Sequence, residues 1–201
     1  MDLDHVLYRA IVFAENAHRG QLRKGTEKPY FTHPVAVGMM VLSRGHGVEA
    51  AVVGLLHDVL EDTPVDRDEI DDAFGPAIAQ AVVDLSELDK TLPWEARKTA
   101  YVAHLARATD LALPACAADK IHNLRSMLWD IEDARASGLD PNGVWRRFKR
   151  PPHKICAYHR AVHNALARRA FASPLQDALA SAIDGFALVA NTDPLGDDFS
   201  R

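Results

Sequence analysis

Leu55-Leu56-His57-Asp58-Val59-Leu60-Glu61-Asp62-Thr63 sets four ionisable side chains inside a segment that otherwise reads as buried helix. Laid on one helix from Val48 to Asp62 at roughly 100° per residue, His57, Asp58, Glu61 and Asp62 share one side. Ala50, Ala51 and Gly54 continue that side in the preceding turns, and Val52, Val53, Leu55, Leu56, Val59 and Leu60 fill the rest. A helix that is apolar around most of its circumference is buried, so the domain is expected to be built around it. Carboxylates crowded together in a core are costly unless protons or a cation neutralise them. A bound metal ion is the simplest way to neutralise this cluster.

Outward from that helix, the chain keeps a helical period. Val6, Leu7, Ala10, Ile11, Ala14 and Ala17 predict a helix from about residue 3 to 18. The Gly- and Pro-containing stretch 19–30 predicts a loop, locally basic through Arg19, Arg23, Lys24 and Lys28, and taken alone it fits a solvated loop as well as a binding one. Thr32 opens a second helix with Pro34 in its first turn. Asp66 with Glu69 has capping-box spacing, Pro76 starts the next helix, and residues 94–107 form another with Arg97 and Lys98 directed away from its apolar side. Pro114 begins a helix of small apolar residues interrupted by Asp119, with Asn123 on the same face four residues on. A turn-rich break at 137–143 and a basic run, Trp145 to Arg150, precede two last helices, near 153–170 and from Pro174 onward. No stretch alternates with a period of two. The expected fold is all-α, a bundle of roughly eight to ten helices with room for a short hairpin near residues 22–31. Residues 1–190 are expected to form one domain, and 191–201 a flexible acidic tail.

Composition narrows the function. The 201 residues carry 23 basic against 28 acidic side chains, a formal charge of −5, without the basic excess of a nucleic-acid binder. An anionic ligand would therefore need local positive charge. The two cysteines, Cys116 and Cys156, lie far apart and outside any Cys-x-x-Cys spacing, which fits a reducing compartment and free thiols. The acidic start Met1-Asp2-Leu3-Asp4 does not read as a signal peptide, and no apolar run is long enough to span a membrane, so the expected location is the cytoplasm.

Metal-ligand residue types recur in apolar contexts on three separate helices: His33, the His57-Asp58 pair and Asp119. Individually, His33 fits a helix cap or core filler and Asp119 a buried cap on a neighbouring helix. Together they form a mixed nitrogen and oxygen set suited to Mn²⁺, Fe²⁺, Zn²⁺ or Co²⁺, with no thiolate of the kind that marks structural zinc. Glu61 and Asp62, one turn beyond the pair, stand where a general acid and base would be needed.

Four stretches in order resemble the HD-domain phosphohydrolases, specifically the Rel/Spo-type alarmone hydrolases and their stand-alone small members. They are Ala17-His18-Arg19-Gly20-Gln21-Leu22-Arg23-Lys24, Pro29-Tyr30-Phe31-Thr32-His33-Pro34, Leu56-His57-Asp58-Val59-Leu60-Glu61-Asp62-Thr63 and Ala118-Asp119-Lys120-Ile121-His122-Asn123. The resemblance implies that His33, His57, Asp58 and Asp119 hold one Mn²⁺ or another divalent transition metal. It implies that Glu61 and Asp62 are catalytic, and that Arg23, Lys24, Asn123 and, from the late helix, Tyr158 bind substrate. The implied reaction releases pyrophosphate from the 3′ position of (p)ppGpp or (p)ppApp, a small-molecule nucleotide partner with neither nucleic acid nor membrane, in a monomer or homodimer. Arg23 and Lys24 would supply the counter-charge that a pyrophosphate needs among carboxylates, and a planar guanidinium at Arg23 can stack on a purine. Segment 86–98 lacks the threonine-lysine pattern of many long relatives, which leaves guanine against adenine open. The alternatives are an HD phosphatase acting on another small phosphate, such as a nucleoside monophosphate or NADPH, and a non-catalytic nucleotide-binding HD domain.

Overall fold

The computed structural model describes residues 2–87, 89–148 and 150–191. Ten α-helices run through them: α1 (Leu3–Ala17), α2 (Thr32–Ser43), α3 (Gly47–Leu56), α4 (Val59–Asp62), α5 (Arg67–Phe74), α6 (Pro76–Leu85), α7 (Trp94–His104), α8 (Leu113–Ala136), α9 (Pro152–Arg168) and α10 (Pro174–Ala190), with a 3₁₀ helix at Pro141–Arg147. Among the described residues there is no strand, and the all-α expectation holds. The hairpin expected near 22–31 shrinks to one antiparallel bridge, Leu22 to Pro29. Its two hydrogen bonds, Arg23 N–H to the Lys28 carbonyl and Tyr30 N–H to the Gln21 carbonyl, are both 2.8 Å, and Pro29 offers no N–H to extend them. Apart from Asn191, the acidic tail expected over 191–201 lies outside the described residues.

Local chemistry sets the helix ends. Asp66 accepts from the Glu69 N–H while the Glu69 side chain accepts from the Asp66 N–H, a complete capping box on α5. Pro76, Pro152 and Pro174 stand in the first turns of their helices, where the missing N–H costs nothing.

The long helix α8 is the axis of the core. Its first half, Ala115-Cys116-Ala117-Ala118, is fully buried, and these small side chains let α2 and α3 lie against it closely. Ile121 and Leu124, also fully buried, then pack on the same cluster as Leu56 and Phe186. Each such side chain contributes about 1.5–3 kcal/mol through removal from water.

Two glycines bring α2 and α3 together. A Cβ on Gly54 would lie 3.1 Å from the Gly38 Cα and 3.2 Å from its N, and one on Gly38 would lie 2.8 Å from Leu55 Cγ. This crossing of backbone on backbone brings the His33 ring, on α2, to 5.0 Å from the His57 ring beyond α3, centroid to centroid. Gly54→Val should therefore force the helices apart, at a cost of about 1–3 kcal/mol for overpacking, of which the better helix propensity of valine returns a small part. A urea melt measures it. An unchanged midpoint would mean that the crossing tolerates a side chain.

Candidate active site

The helix expected from Val48 to Asp62 is broken. α3 ends at Leu56, His57 and Asp58 form a turn, and α4 resumes at Val59. The Gly54 carbonyl accepts a 2.8 Å hydrogen bond from the His57 ring, Nδ1, and the backbone ladder picks up again with Asp62 N–H to the Asp58 carbonyl at 2.9 Å. The four ionisable residues still face one space: His57, Asp58, Glu61 and Asp62 line the same cavity of about 190 Å³, together with His33 and Asp119.

At its floor His33 Nε2 and His57 Nε2 stand 3.2 Å apart. Asp58 Oδ2 lies 3.1 Å from His57 Nε2 and 3.5 Å from His33 Nε2, and these three ligand atoms are all within 4.8 Å of one another. Asp119 Oδ1 closes the remaining side, 3.2 Å from His33 Nε2 and 3.7 Å from His57 Nε2. Both imidazoles are nearly inaccessible to solvent. His57 donates Nδ1–H to Gly54, which leaves Nε2 as the nitrogen turned toward the cluster, the one a metal would displace a proton from.

The electrostatics also call for a cation. Burial alone would raise the Asp58 carboxyl, but the His57 ring beside it and the hydrogen bond between them hold it well below the usual carboxylate range. Burial likewise opposes the charge on Asp119, and Lys120 and the two imidazoles overcome it. Burial opposes charge on His57 too, yet Asp58 and Asp119 raise its pKa well above normal. A cluster that keeps the buried Asp119 and the partly buried Asp58 ionised and draws positive charge between them has the chemistry to take a divalent ion among His33, His57, Asp58 and Asp119.

A second ring of side chains orients these donors. Tyr30 donates to Asp58 Oδ2 at 2.5 Å, Lys120 to Asp119 Oδ2 at 2.6 Å, and Asn123 to Asp119 Oδ1. His122 Nδ1 is 2.7 Å from His33 Nδ1. Tyr30, Lys120 and His122 carry no role in the sequence reading, although each lies inside one of the four motif stretches.

Comparisons with known proteins give the family. Residues 10–140 match the family described as HD domain. The chain belongs to the HD-domain family. A guanosine-3′,5′-bis(diphosphate) 3′-pyrophosphohydrolase of Haemophilus influenzae is 38% identical over 122 residues, 58% of this chain and 18% of that protein. The enzyme of the same name called MESH1 in Danio rerio is 34% identical over 125 residues, 61% of this chain and 69% of that protein. The chain spans about a fifth of the length of the long curated relatives it matches, 18%. A solved protein of Listeria monocytogenes EGD-e superposes with a TM-score of 0.66 at 28% identity, covering 83% of this chain and 99% of that one. A structure described as a metazoan ortholog of SpoT that hydrolyses ppGpp shares the fold, with a TM-score of 0.69 at 24% identity over 92% of this chain and 94% of that one.

A second cavity of this HD domain, about 590 Å³, opens beside the first, and the two share Tyr30, Lys98, Lys120 and Asn123. Arg23, Lys24 and Tyr158 line it, as do Trp94, Trp129 and Phe148. Arg23 donates to Ser126 Oγ at 3.1 Å and to Asn123 Oδ1 at 3.4 Å, and its guanidinium lies 5.7 Å over the Tyr30 ring. Asn123, expected in a base pocket, lies at the junction of the two cavities, braced between Asp119 and Arg23. Lys24 Nζ stands 5.6 Å over the Phe148 ring. Tyr158, on α9, is buried against Trp94 and Tyr101, with Lys98 and Lys120 over its ring face.

Lys98 differs from expectation. It does not turn away from the site but lines both cavities, because Glu87, nearly buried, ion-pairs it together with Arg97 and pulls the first turns of α7 inward. The 86–90 segment acts on the carboxylate pair as well. Glu61 Oε2 accepts from the Glu87 N–H at 3.1 Å, and Lys90 Nζ donates to Asp62 Oδ1 and to the Glu61 carbonyl, both at 2.7 Å. Burial, which outweighs the Glu87 N–H, raises the Glu61 pKa, and the negative charges of Asp58, Glu87 and Asp62 add to the rise. The basic run after Trp145 is structural in part: Arg147 ion-pairs Asp130 at 2.9 Å and crosses the loop at Gly25, where a Cβ would collide with the Arg147 Cδ and φ is +69°. Gly25 is needed there for both reasons.

Proposed function

We propose that this HD domain, spanning residues 1–190, hydrolyses the 3′-pyrophosphate of a purine alarmone, (p)ppGpp or (p)ppApp, in a Mn²⁺-dependent reaction that releases pyrophosphate. The observation that carries the proposal is the pair of joined cavities. One is small and anionic with a cation-attracting floor, and the other is large, aromatic and basic, within the volume range of nucleotide-sized ligands. The relatives named for this reaction support it.

In this reading His33, His57, Asp58 and Asp119 hold one divalent ion. When bound, the ion supplies Lewis acidity and counter-charge at the pyrophosphate. The large cavity takes the nucleoside, with Arg23 placed to lie along a purine face and Lys24, Lys98 and Lys120 available to phosphate oxygens. The phosphate chain then points through the junction at Asn123 toward the carboxylates.

Hydrolysis needs a proton taken from water and one given to the departing 3′ oxygen. Glu61 suits the second task, because its raised pKa keeps a carboxylic acid proton available nearer neutrality than an exposed glutamate would. With Oε2 engaged by the Glu87 N–H, Oε1 is the oxygen that carries and delivers it. Asp62, held by Lys90 and within 3.5 Å of the Tyr30 hydroxyl, is fixed in position to accept a proton from the attacking water.

Purified protein incubated with Mn²⁺ and either ppGpp or ppApp should release pyrophosphate and the matching 5′-diphosphate. Pyrophosphate and orthophosphate are to be read separately. No release with either nucleotide rejects the proposal, and orthophosphate from a nucleoside monophosphate or NADPH would replace it with a phosphatase.

A further inference from the structure

We propose that His122 is a positioning residue for the metal centre: its Nδ1 accepts the Nδ1–H of His33 and so keeps the Nε2 lone pair of His33 turned toward His57, Asp58 and Asp119. This inference rests on the reading of those four residues as metal ligands.

The two Nδ1 atoms are 2.7 Å apart, with ring centroids at 4.8 Å. Two imidazole nitrogens at that separation share one proton, so one is an N–H and the other a lone pair. A ring that ligates through Nε2 carries its proton on Nδ1. His33 is therefore the donor and His122 the acceptor, which places the proton of His122 on its own Nε2.

The chain has a reason to recruit a distant acceptor here. His57 finds one within its own helix, the Gly54 carbonyl three residues back. His33 stands in the first turn of α2, where the matching carbonyl, Tyr30, already accepts from the His33 backbone N–H at 2.9 Å, and the Pro29 carbonyl is taken by Thr32. The acceptor comes instead from across the fold. α8 provides it 89 residues later in the chain, three residues after Asp119, on a ring that is 8% exposed and braced edge-on by Trp129 at 5.9 Å. One helix thus supplies a ligand and the group that orients another ligand.

The test compares wild type with His122→Phe and His122→Asn. Asparagine sets an amide oxygen about where Nδ1 stands, restoring the acceptor without the ring. Mn²⁺ affinity is read by the EPR signal of free ion during titration, and melting temperatures are recorded alongside. Proton positions in wild type are read in the Zn²⁺-loaded, ¹⁵N-labelled protein from two-bond ¹H–¹⁵N correlations of the imidazoles. His122→Phe should bind Mn²⁺ about 10- to 100-fold more weakly, as loss of an outer-shell partner does. His122→Asn should recover most of that affinity, and the spectra should show His33 protonated at Nδ1 and His122 at Nε2. Undiminished affinity in His122→Phe, no recovery in a folded His122→Asn, or a proton on His122 Nδ1 would each overturn the inference. Wild type that binds neither ion would overturn the metal-site reading as well, which sets that failure apart from the others.

Discussion

Glu61→Gln combined with Asp62→Asn should lower turnover of the alarmone by about 10²–10⁴-fold, the contribution typical of positioned acid–base groups, while Mn²⁺ binding and the melting temperature stay near wild type. Both replacements keep the shape of the side chain. The glutamine amide oxygen can still accept from the Glu87 N–H, and neither Glu61 nor Asp62 contributes an atom to the four-donor cluster. What is lost is the ability to exchange a proton at Glu61, whose acidity burial suppresses, and at Asp62 beside Lys90. Steady-state kinetics with pyrophosphate detection, paired with a metal titration, separates the two effects. Turnover at the wild-type rate would show that protons reach the scissile bond by another route.

His57→Ala should act on the opposite side of that division, removing metal and stability together. The imidazole lies between Asp58 at 3.1 Å and Asp119 at 3.7 Å, and it is where the cluster concentrates positive charge. Without it the buried Asp119 and the partly buried Asp58 face each other with less compensation. Breaking a buried ionic arrangement by removing one partner costs about 3–5 kcal/mol, and an alanine also leaves a void against the Gly54 carbonyl. Wild type should melt at a lower temperature in chelator, since an ion present at a hundredfold its Kd adds about 2.7 kcal/mol. His57→Ala should melt lower still and respond to neither chelator nor Mn²⁺. A variant that melts with wild type and still tightens on adding Mn²⁺ would remove His57 from the ligand set.

The two variants divide a stripe that local sequence presents as one feature. His57, Asp58, Glu61 and Asp62 are legible as a group because charges in an apolar helical segment stand out whatever they face. The turn at His57-Asp58 is not legible, since it depends on a ring nitrogen bonding to the Gly54 carbonyl, and residue types alone favour an unbroken helix. Lys98 misled for a similar reason. On α7 it lies on the polar side, and only the buried Glu87 on the preceding segment turns that side into a wall of the site.

By itself the sequence determined the all-α class, the helix starts at Thr32, Pro76 and Pro174 and the capping box at Asp66, and it grouped His33, His57, Asp58 and Asp119 as candidate donors, which the fold brings to one cavity. Helical period, caps and proline constraints act over a few residues, so they are written in adjacent positions. Tertiary structure alone decided how those donors are aimed: the glycine crossing of Gly38 and Gly54, the hydroxyl of Tyr30 on Asp58, Lys120 on Asp119 and His122 behind His33. Hydrogen-bond direction and close backbone approach depend on atoms brought together from distant parts of the chain, and no local pattern encodes which partner will arrive.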